Sequence, residues 1–355
     1  MSMAETTLTL PKQLPKSANG VKEITYWGAV RAKLWHDKIT MAAVLLGLFM
    51  ITITLAAPWI AQHVTGFDPL DTDLRNRNVP PTWAADAWPA FEKFSQSCQG
   101  GGCNWSLWSD IFVDSAAGLQ SCFAAGPGGC HWMGTDQAGR DVFTRGIYGG
   151  RISLRIGAYV ATLSMALGVI VGLVSGYYAA TWVDDIINAV IMTLSSIPLL
   201  FLLIIMAATF PIFRTPEGLS FLIAIFGWMG IARLIRGQIF SIREREYIVA
   251  SRAIGTPIWR VMIWHMMPNV SSIIIVIGVF TVASAILAEA GLSYLGVGIG
   301  PPLSSWGNMM QGSLGNFTDA PWLVIAPGVF IFLTTLSIYL IGDGLRDALD
   351  PWVKN

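Results

Sequence analysis

The chain has 355 residues, 54% of them hydrophobic and 12% charged, against about a quarter charged in ordinary soluble domains, so a simple water-soluble fold is excluded. Lys plus Arg and Asp plus Glu each number 22, and with no basic surplus nothing points to nucleic acid. Fifteen Trp, 17 Phe and a mean hydropathy of +0.57 exclude disorder for most of the chain.

A bilayer core about 30 Å thick needs roughly 20 apolar helical residues. Residues 1–38 read as a cytoplasmic tail whose first 20 residues, rich in Thr, Lys, Pro and Ser, are loose. The first apolar run, 39–61, is too long for a signal-peptide core and is expected to stay as an anchor. Further runs follow at 156–179, 186–210 with Pro198 in its middle, 219–234, 270–290 and 322–341, ahead of a polar tail at 344–355. Unpaired backbone groups are costly in lipid, so the expected fold is an all-α polytopic membrane protein with six transmembrane helices and one large outer loop at 62–155.

Basic residues set the orientation. With the N-terminus inside, Lys12, Lys16, Lys22, Arg31, Lys33 and Lys38 lie in the cytoplasm. The segment between the fourth and fifth runs adds Arg233, Arg236, Arg243, Arg245, Arg252 and Arg260, opposed only by Glu244 and Glu246, and the tail adds Arg346 and Lys354. Both termini are therefore expected in the cytoplasm. Arg140, Arg145, Arg151 and Arg155 dissent, falling outside just before the second run.

All four cysteines lie in the outer loop: Cys98, Cys103, Cys122 and Cys130, among glycines suited to tight turns. An oxidising exterior favours one or two disulfides, with three pairings open. A four-thiolate zinc site is the alternative, with spacing unlike the usual paired pattern, and no metal is expected.

No Gly-x-x-x-x-Gly-Lys-Ser/Thr loop occurs, so this chain is not expected to hydrolyse ATP or bind a cofactor itself. Neither a His-Glu-x-x-His motif nor a Gly-x-Ser-x-Gly elbow is present, and no catalytic residue is assigned. From Arg243 to Asn269 the chain reads REREYIVASRAIGTPIWRVMIWHMMPN. Gly255, Thr256 and Pro257 are expected to end a short helix and redirect the chain, with Tyr247, Ile248, Ser251 and Ile254 on one face by spacing. The knob so formed fits a coupling element or, equally, an interfacial helix held by anionic headgroups.

This stretch resembles the EAA loop of permease subunits in ATP-binding-cassette importers: Glu-Ala-Ala, three residues, Gly, nine residues, Ile, one residue, Leu-Pro. Val249, Ala250, Ser251, Gly255, His265, Met267 and Pro268 occupy the matching positions, with Val249 replacing the glutamate and Glu246 one turn earlier. His265-Met-Met-Pro-Asn resembles the form of the dipeptide, oligopeptide and nickel branch. GTDQAGRDVFTRGIYGGRISL at 134–154, EAGLSYLGVGIGPPLSSWGNMM at 289–310 and GDGLRDALDP at 342–351 resemble its C-type permease, whereas the cysteine-bearing insert at about 85–130 lies outside the shared pattern.

The resemblance implies a subunit of an importer in a bacterial or archaeal cell membrane. It forms half of a pathway for di- or oligopeptides, with oligosaccharides or nickel complexes as alternatives. Implied partners are a second permease, two ATPase subunits carrying ATP and Mg, an outer substrate-binding protein and membrane lipid. Coupling falls to Glu246, Tyr247, Val249, Ala250, Ser251, Arg252, Ala253, Gly255 and Pro268 in the 233–269 loop of a 156–343 core. Residues 134–154 are either an outer gate and docking element or a structured entry to the second helix. Ser195, Ser196 and Pro198 either kink the third helix toward a pathway or bond back along it. Glu289 is either a buried functional carboxylate or one that reaches interfacial water. A membrane-anchored enzyme or receptor using the cysteine-bearing region is the alternative from another class.

Overall fold

The computed structural model describes residues 26–85, 87–99 and 107–349; the loose tail read at 1–20 and the last residues of the C-terminal tail lie outside them. The regular elements among the described residues are helices, and the only β-type pairing there is an isolated bridge between Thr135 and Asp141. The helices are α1 Tyr26–His36, α2 Lys38–Leu55, the single turn α3 Ala57–Ile60, and in the outer loop α4 Trp88–Gln99 and α5 Leu107–Ala125. The core follows: α6 Val142–Tyr177, α7 Trp182–Ser195, α8 Leu199–Thr209, α9 Pro216–Arg243, α10 Glu246–Ala253, α11 Ile258–Arg260, α12 Met267–Tyr294, α13 Trp306–Met309 and α14 Trp322–Leu349. α11 and α12 join through a π-helical turn at Val261–Met266.

Among the described residues five stretches are long and apolar enough to cross a membrane: α2, α6, α9, Ile258–Tyr294 and α14. The third expected helix, 186–210, is broken instead: α7 and α8 meet at 74°. Pro198 is the N-cap of α8 rather than a kink within one helix, because a proline interior to a helix loses its hydrogen bond and clashes with the preceding turn.

Several bounds differ from hydropathy. α6 starts at Val142, ahead of the 156 expected, and takes in the end of the 62–155 loop. Asp141 caps it, accepting from the Thr144 N–H at 2.7 Å. α9 exceeds the 219–234 run at both ends, beginning where Pro216 sits in the first turn and the Thr215 hydroxyl accepts from the Gly218 N–H at 3.1 Å. α14 runs to Leu349, so the expected boundary at 344 falls inside a helix. In the N-terminal region Asp37 caps α2, and hydrogen bonding by the Thr40 hydroxyl, ahead of the Ile39 N–H, holds its carboxyl below the usual range.

The bundle is built on α6 and α9. Gly168, Gly172 and Gly176, spaced by four, face Ile231, Ile235 and Ile239, also spaced by four; an added Cβ would come within 2.6, 2.7 and 2.6 Å of the three isoleucine Cβ atoms. Small residues on one face let two backbones close up where lipid supplies no hydrophobic drive. The matched order makes α6 and α9 parallel. Ile156 and Val160 of α6 share a cluster with Leu219 and Leu222 of α9 and with Leu203 and Ala207 of α8, whereas Tyr177 joins Ile239 and Ile242 at the other end. The chain between α6 and α9 must therefore return from one end of the bundle to the other, and α7 with α8 carries it. α12 runs antiparallel to α6, with Ile286 against Gly157. α2 packs antiparallel on α14, Gly47 lying against Ser337.

Candidate functional site

At the end of the bundle where α6 and α9 finish, α10 is a two-turn helix with two unlike faces. Ile248 is fully buried among Leu173, Tyr177, Ile239, Val261 and Met266, and Ser251 is buried beside it. Tyr247, Val249 and Ile254 are exposed, Ile254 at 84%, as are Glu246, Ala250, Arg252, Ala253 and Gly255. The face drawn from spacing is thus divided, with Ile248 and Ser251 as the root and Tyr247 and Ile254 outside. Eight residues make little more than two turns, too few to fold alone; docking of Ile248 makes α10 part of the bundle.

Gly255 ends α10 at φ +81° with open space around its Cα. An L side chain is strained there whatever the room. Arg252 lies over the Tyr177 ring at 5.5 Å from its centroid, and Arg243 donates to the carbonyls of Tyr177 (3.3 Å) and Ala179 (2.8 Å). Both tie the loop to the end of α6. Pro268 stands in the first turn of α12, where its missing N–H costs nothing.

A buried ion pair adjoins this root. Asp184, in the first turn of α7, is 2% exposed and accepts from Arg236 of α9 through Nε at 2.7 Å and Nη2 at 2.6 Å. The Ser175 hydroxyl of α6 donates to it at 2.5 Å and the Asn188 amide at 2.7 Å. Three helices meet at one carboxylate. A bidentate guanidinium adds fixed geometry to the attraction, and satisfied lone pairs are what make such a burial tolerable.

Farther along, Ser195, Ser196 and Pro198 mark the α7–α8 break and are exposed. Ser196 donates back to the Thr193 carbonyl at 2.7 Å, whereas Ser195 lies 3.8 Å from the Met229 sulfur. Beside the break a cleft of 360 Å³ runs between α6, α8, α9 and α12, lined by Leu199, Leu203, Gly227, Gly230, Thr281 and Ser284 among others.

Glu289 lies toward the opposite end and is fully buried, so it does not reach interfacial water. The Ser153 hydroxyl of α6 donates to it at 2.9 Å and the Ser293 hydroxyl at 2.7 Å. Ser293 also accepts from the Ile299 N–H at 3.0 Å, and Ser153 from the Trp306 N–H at 3.4 Å. Glu289 is therefore the hub that fastens the loop after α12 to α6. The indole of Trp306, fully buried, completes the seat by donating to the Gly146 carbonyl at 2.8 Å.

Comparison with known proteins decides the family. Residues 168–355, more than half of the chain, match the family described as binding-protein-dependent transport system inner membrane component. The chain belongs to this family. It is 40% identical over 351 residues to the dipeptide transport system permease protein DppC of Bacillus subtilis, covering 97% of this chain and 92% of that one. It is also 40% identical over 227 residues to the oligopeptide transport system permease protein OppC of the same organism, covering 63% of this chain and 72% of that protein. OppC of Mycobacterium bovis is 39% identical over 228 residues, 63% of this chain and 77% of its own length. The chain is accordingly a multi-pass membrane protein and an inner-membrane component of such a transport system.

The family match takes in α10, the Asp184–Arg236 pair, the break at Pro198 and Glu289, but not the cysteine-bearing loop. In that loop Cys122 and Cys130 form a disulfide with Cα atoms 5.3 Å apart. Cys103 and the side chain of Cys98 lie outside what the structure describes. His131, next to the disulfide, bonds the Asp141 cap at 2.9 Å through Nδ1 and stacks on Phe67 at 4.3 Å. The cysteine loop is thus fastened to the first turn of α6. The sequence shows Arg236 only as one of the basic residues after the fourth apolar run and leaves Asp184 unremarked between two runs; their pairing has no linear trace. Reading the sequence also passed over Gly168, Gly172 and Gly176, although their four-residue spacing is a signal for close helix packing.

Proposed function

We propose that this chain is one of two permease subunits forming the pathway of an importer for di- or oligopeptides. It is fed from outside by a substrate-binding protein and driven by two ATPase subunits that hold ATP and Mg. The peptide cargo rests on the relatives, named for dipeptide and oligopeptide transport. Six crossings are favoured by the parallel packing of α6 and α9, since the broken pair α7–α8 then has to traverse the full thickness between them. With both termini in the cytoplasm, α10 faces inward and Glu289 lies near the outer surface.

The observation that carries the mechanism is the two-faced α10. Its exposed face, Glu246, Tyr247, Val249, Ala250, Arg252, Ala253 and Ile254, is the surface that would seat in an ATPase groove. Its buried face, Ile248 and Ser251, is continuous with the packing of α6, α9 and α12. A helix held this way transfers a rigid-body displacement that a loose loop would absorb. Closure of the ATPase dimer would then move α10 together with the inner ends of α6 and α9. The cleft beside Pro198, lined by glycines, Thr281 and Ser284, supplies this subunit's wall of the pathway.

The test is Ala250→Arg in the complete transporter in proteoliposomes. Ala250 is exposed, so insertion and assembly are expected to persist while substrate-stimulated ATP hydrolysis falls to the basal rate. Wild-type stimulation in that variant would remove α10 from the coupling path.

A further inference from the structure

Four arginines fall on the outward side of the chain's charge distribution. Three of them have a carboxylate partner: Arg140 and Arg145 share Asp136, and Arg155 pairs with Glu217. Arg151 has no ion pair among the described residues; its guanidinium lies 5.9 Å from the Tyr148 ring centroid. Arg151 and Arg155, both exposed and one turn apart, line a cleft of 840 Å³ whose other walls are mainly apolar: Ile51 and Leu55 of α2, Ala158 of α6, Val282 of α12 and Ile338 of α14.

The depth of these residues is informative. At 1.5 Å per residue from Tyr177, taken at the inner boundary, Arg155 stands about 33 Å and Arg151 about 39 Å away, beyond a hydrocarbon core of about 30 Å. Ala158, at about 28 Å, falls just inside it. The cleft thus carries cationic groups at headgroup level and apolar walls below them.

We propose that this cleft binds an anionic phospholipid of the outer leaflet, with its phosphate on Arg151 and an acyl chain passing Ala158 toward Val282 and Ile338. A guanidinium offers forked donors that match a phosphate, and an arginine without a carboxylate at a membrane boundary finds its counter-ion there. Arg151, Arg155 and Glu217 together leave one positive charge, which favours a headgroup of net negative charge over a zwitterionic one. The exposed Ile51, Leu55 and Leu303 along the same cleft require an apolar occupant. The lipid would fill the space between α2 and the core, joining the first helix to the rest of the subunit.

The experiment is native mass spectrometry of the complete transporter exchanged into phosphatidylglycerol or phosphatidylcholine. Wild type is expected to retain one tightly held phosphatidylglycerol, with phosphatidylcholine roughly ten-fold weaker, a preference of about 1.4 kcal/mol. Arg151→Gln should abolish that retention, Arg151→Lys should keep most of it, and Val282→Trp, which fills the apolar end without altering charge, should abolish it too. Equal retention in wild type, Arg151→Gln and Val282→Trp overturns the proposal, as does equal retention of both lipids. A cysteine at Ala158 decides independently if a variant fails to assemble: cross-linking to a photoactivatable acyl chain supports the site. Cross-linking to the second permease shows a protein helix in the cleft and overturns it.

Discussion

Asp184 takes both forks of Arg236, at 2.7 and 2.6 Å, across the start of α7 and the lower half of α9. The break after Ser195 separates α7 from α8, so this pair and its Ser175 and Asn188 partners fix the first half of the returning segment to α6 and α9. α10 is rooted on the same helices, which puts the ion pair beside the element proposed to receive force.

Removing one partner should cost more than removing both, because a buried charge left alone keeps its desolvation penalty. Arg236→Gln is expected to destabilise by about 1–3 kcal/mol, the lower part being favoured because the arginine is partly exposed. Asp184→Asn with Arg236→Gln should cost less than the two single changes added. Thermal unfolding of the purified transporter in a double-mutant cycle checks this; strict additivity would mean that the pair contributes no coupling.

The α6–α9 seam gives a steric prediction. Gly172→Val should destabilise by about 1–3 kcal/mol, since its Cβ would meet Ile235. Adding Ile235→Ala should recover part of the loss by opening the opposite face. The same change at Gly230, whose Cβ would meet nothing within 4 Å, should be tolerated far better. Melting temperatures of the three variants decide the matter, and equal loss at Gly172 and Gly230 would refute the close approach.

How much of this was legible in the sequence depends on the range of the contacts. Hydropathy locates α2, α6, α9, α12 and α14 because each buries or exposes apolar residues over its middle turns. It marks the apolar part of α6 from 156 but not the helical turns before it from Val142, because Arg145, Arg151 and Arg155 depress the average there. Pro198 was visible, but a kink and a 74° break leave the same mark in sequence. The pairing of Asp184 with Arg236 and the burial of Glu289 depend on which helices become neighbours, and no local pattern encodes that.

Glu289 is predicted to act as a structural hub. Glu289→Gln keeps an acceptor for one of the two hydroxyls and offers the other an amide donor, which its free lone pair can accept, and should leave the melting temperature within a few degrees of wild type. Glu289→Leu strands both hydroxyls and should cost about 1–3 kcal/mol, with protease sensitivity rising first in the loop after α12. Limited proteolysis followed by peptide mapping reads this directly; greater sensitivity in the Gln variant than in the Leu variant would contradict it.

If α10 is the coupling element proposed above, its exposed face rests on an ATPase. The most direct measurement is site-specific cross-linking of the assembled transporter with a cysteine at position 250. A product with an ATPase subunit is expected, its yield changing between nucleotide-free and ATP-bound states. A product with the substrate-binding protein, or reactivity only toward lipid-embedded reagents in both states, would contradict it.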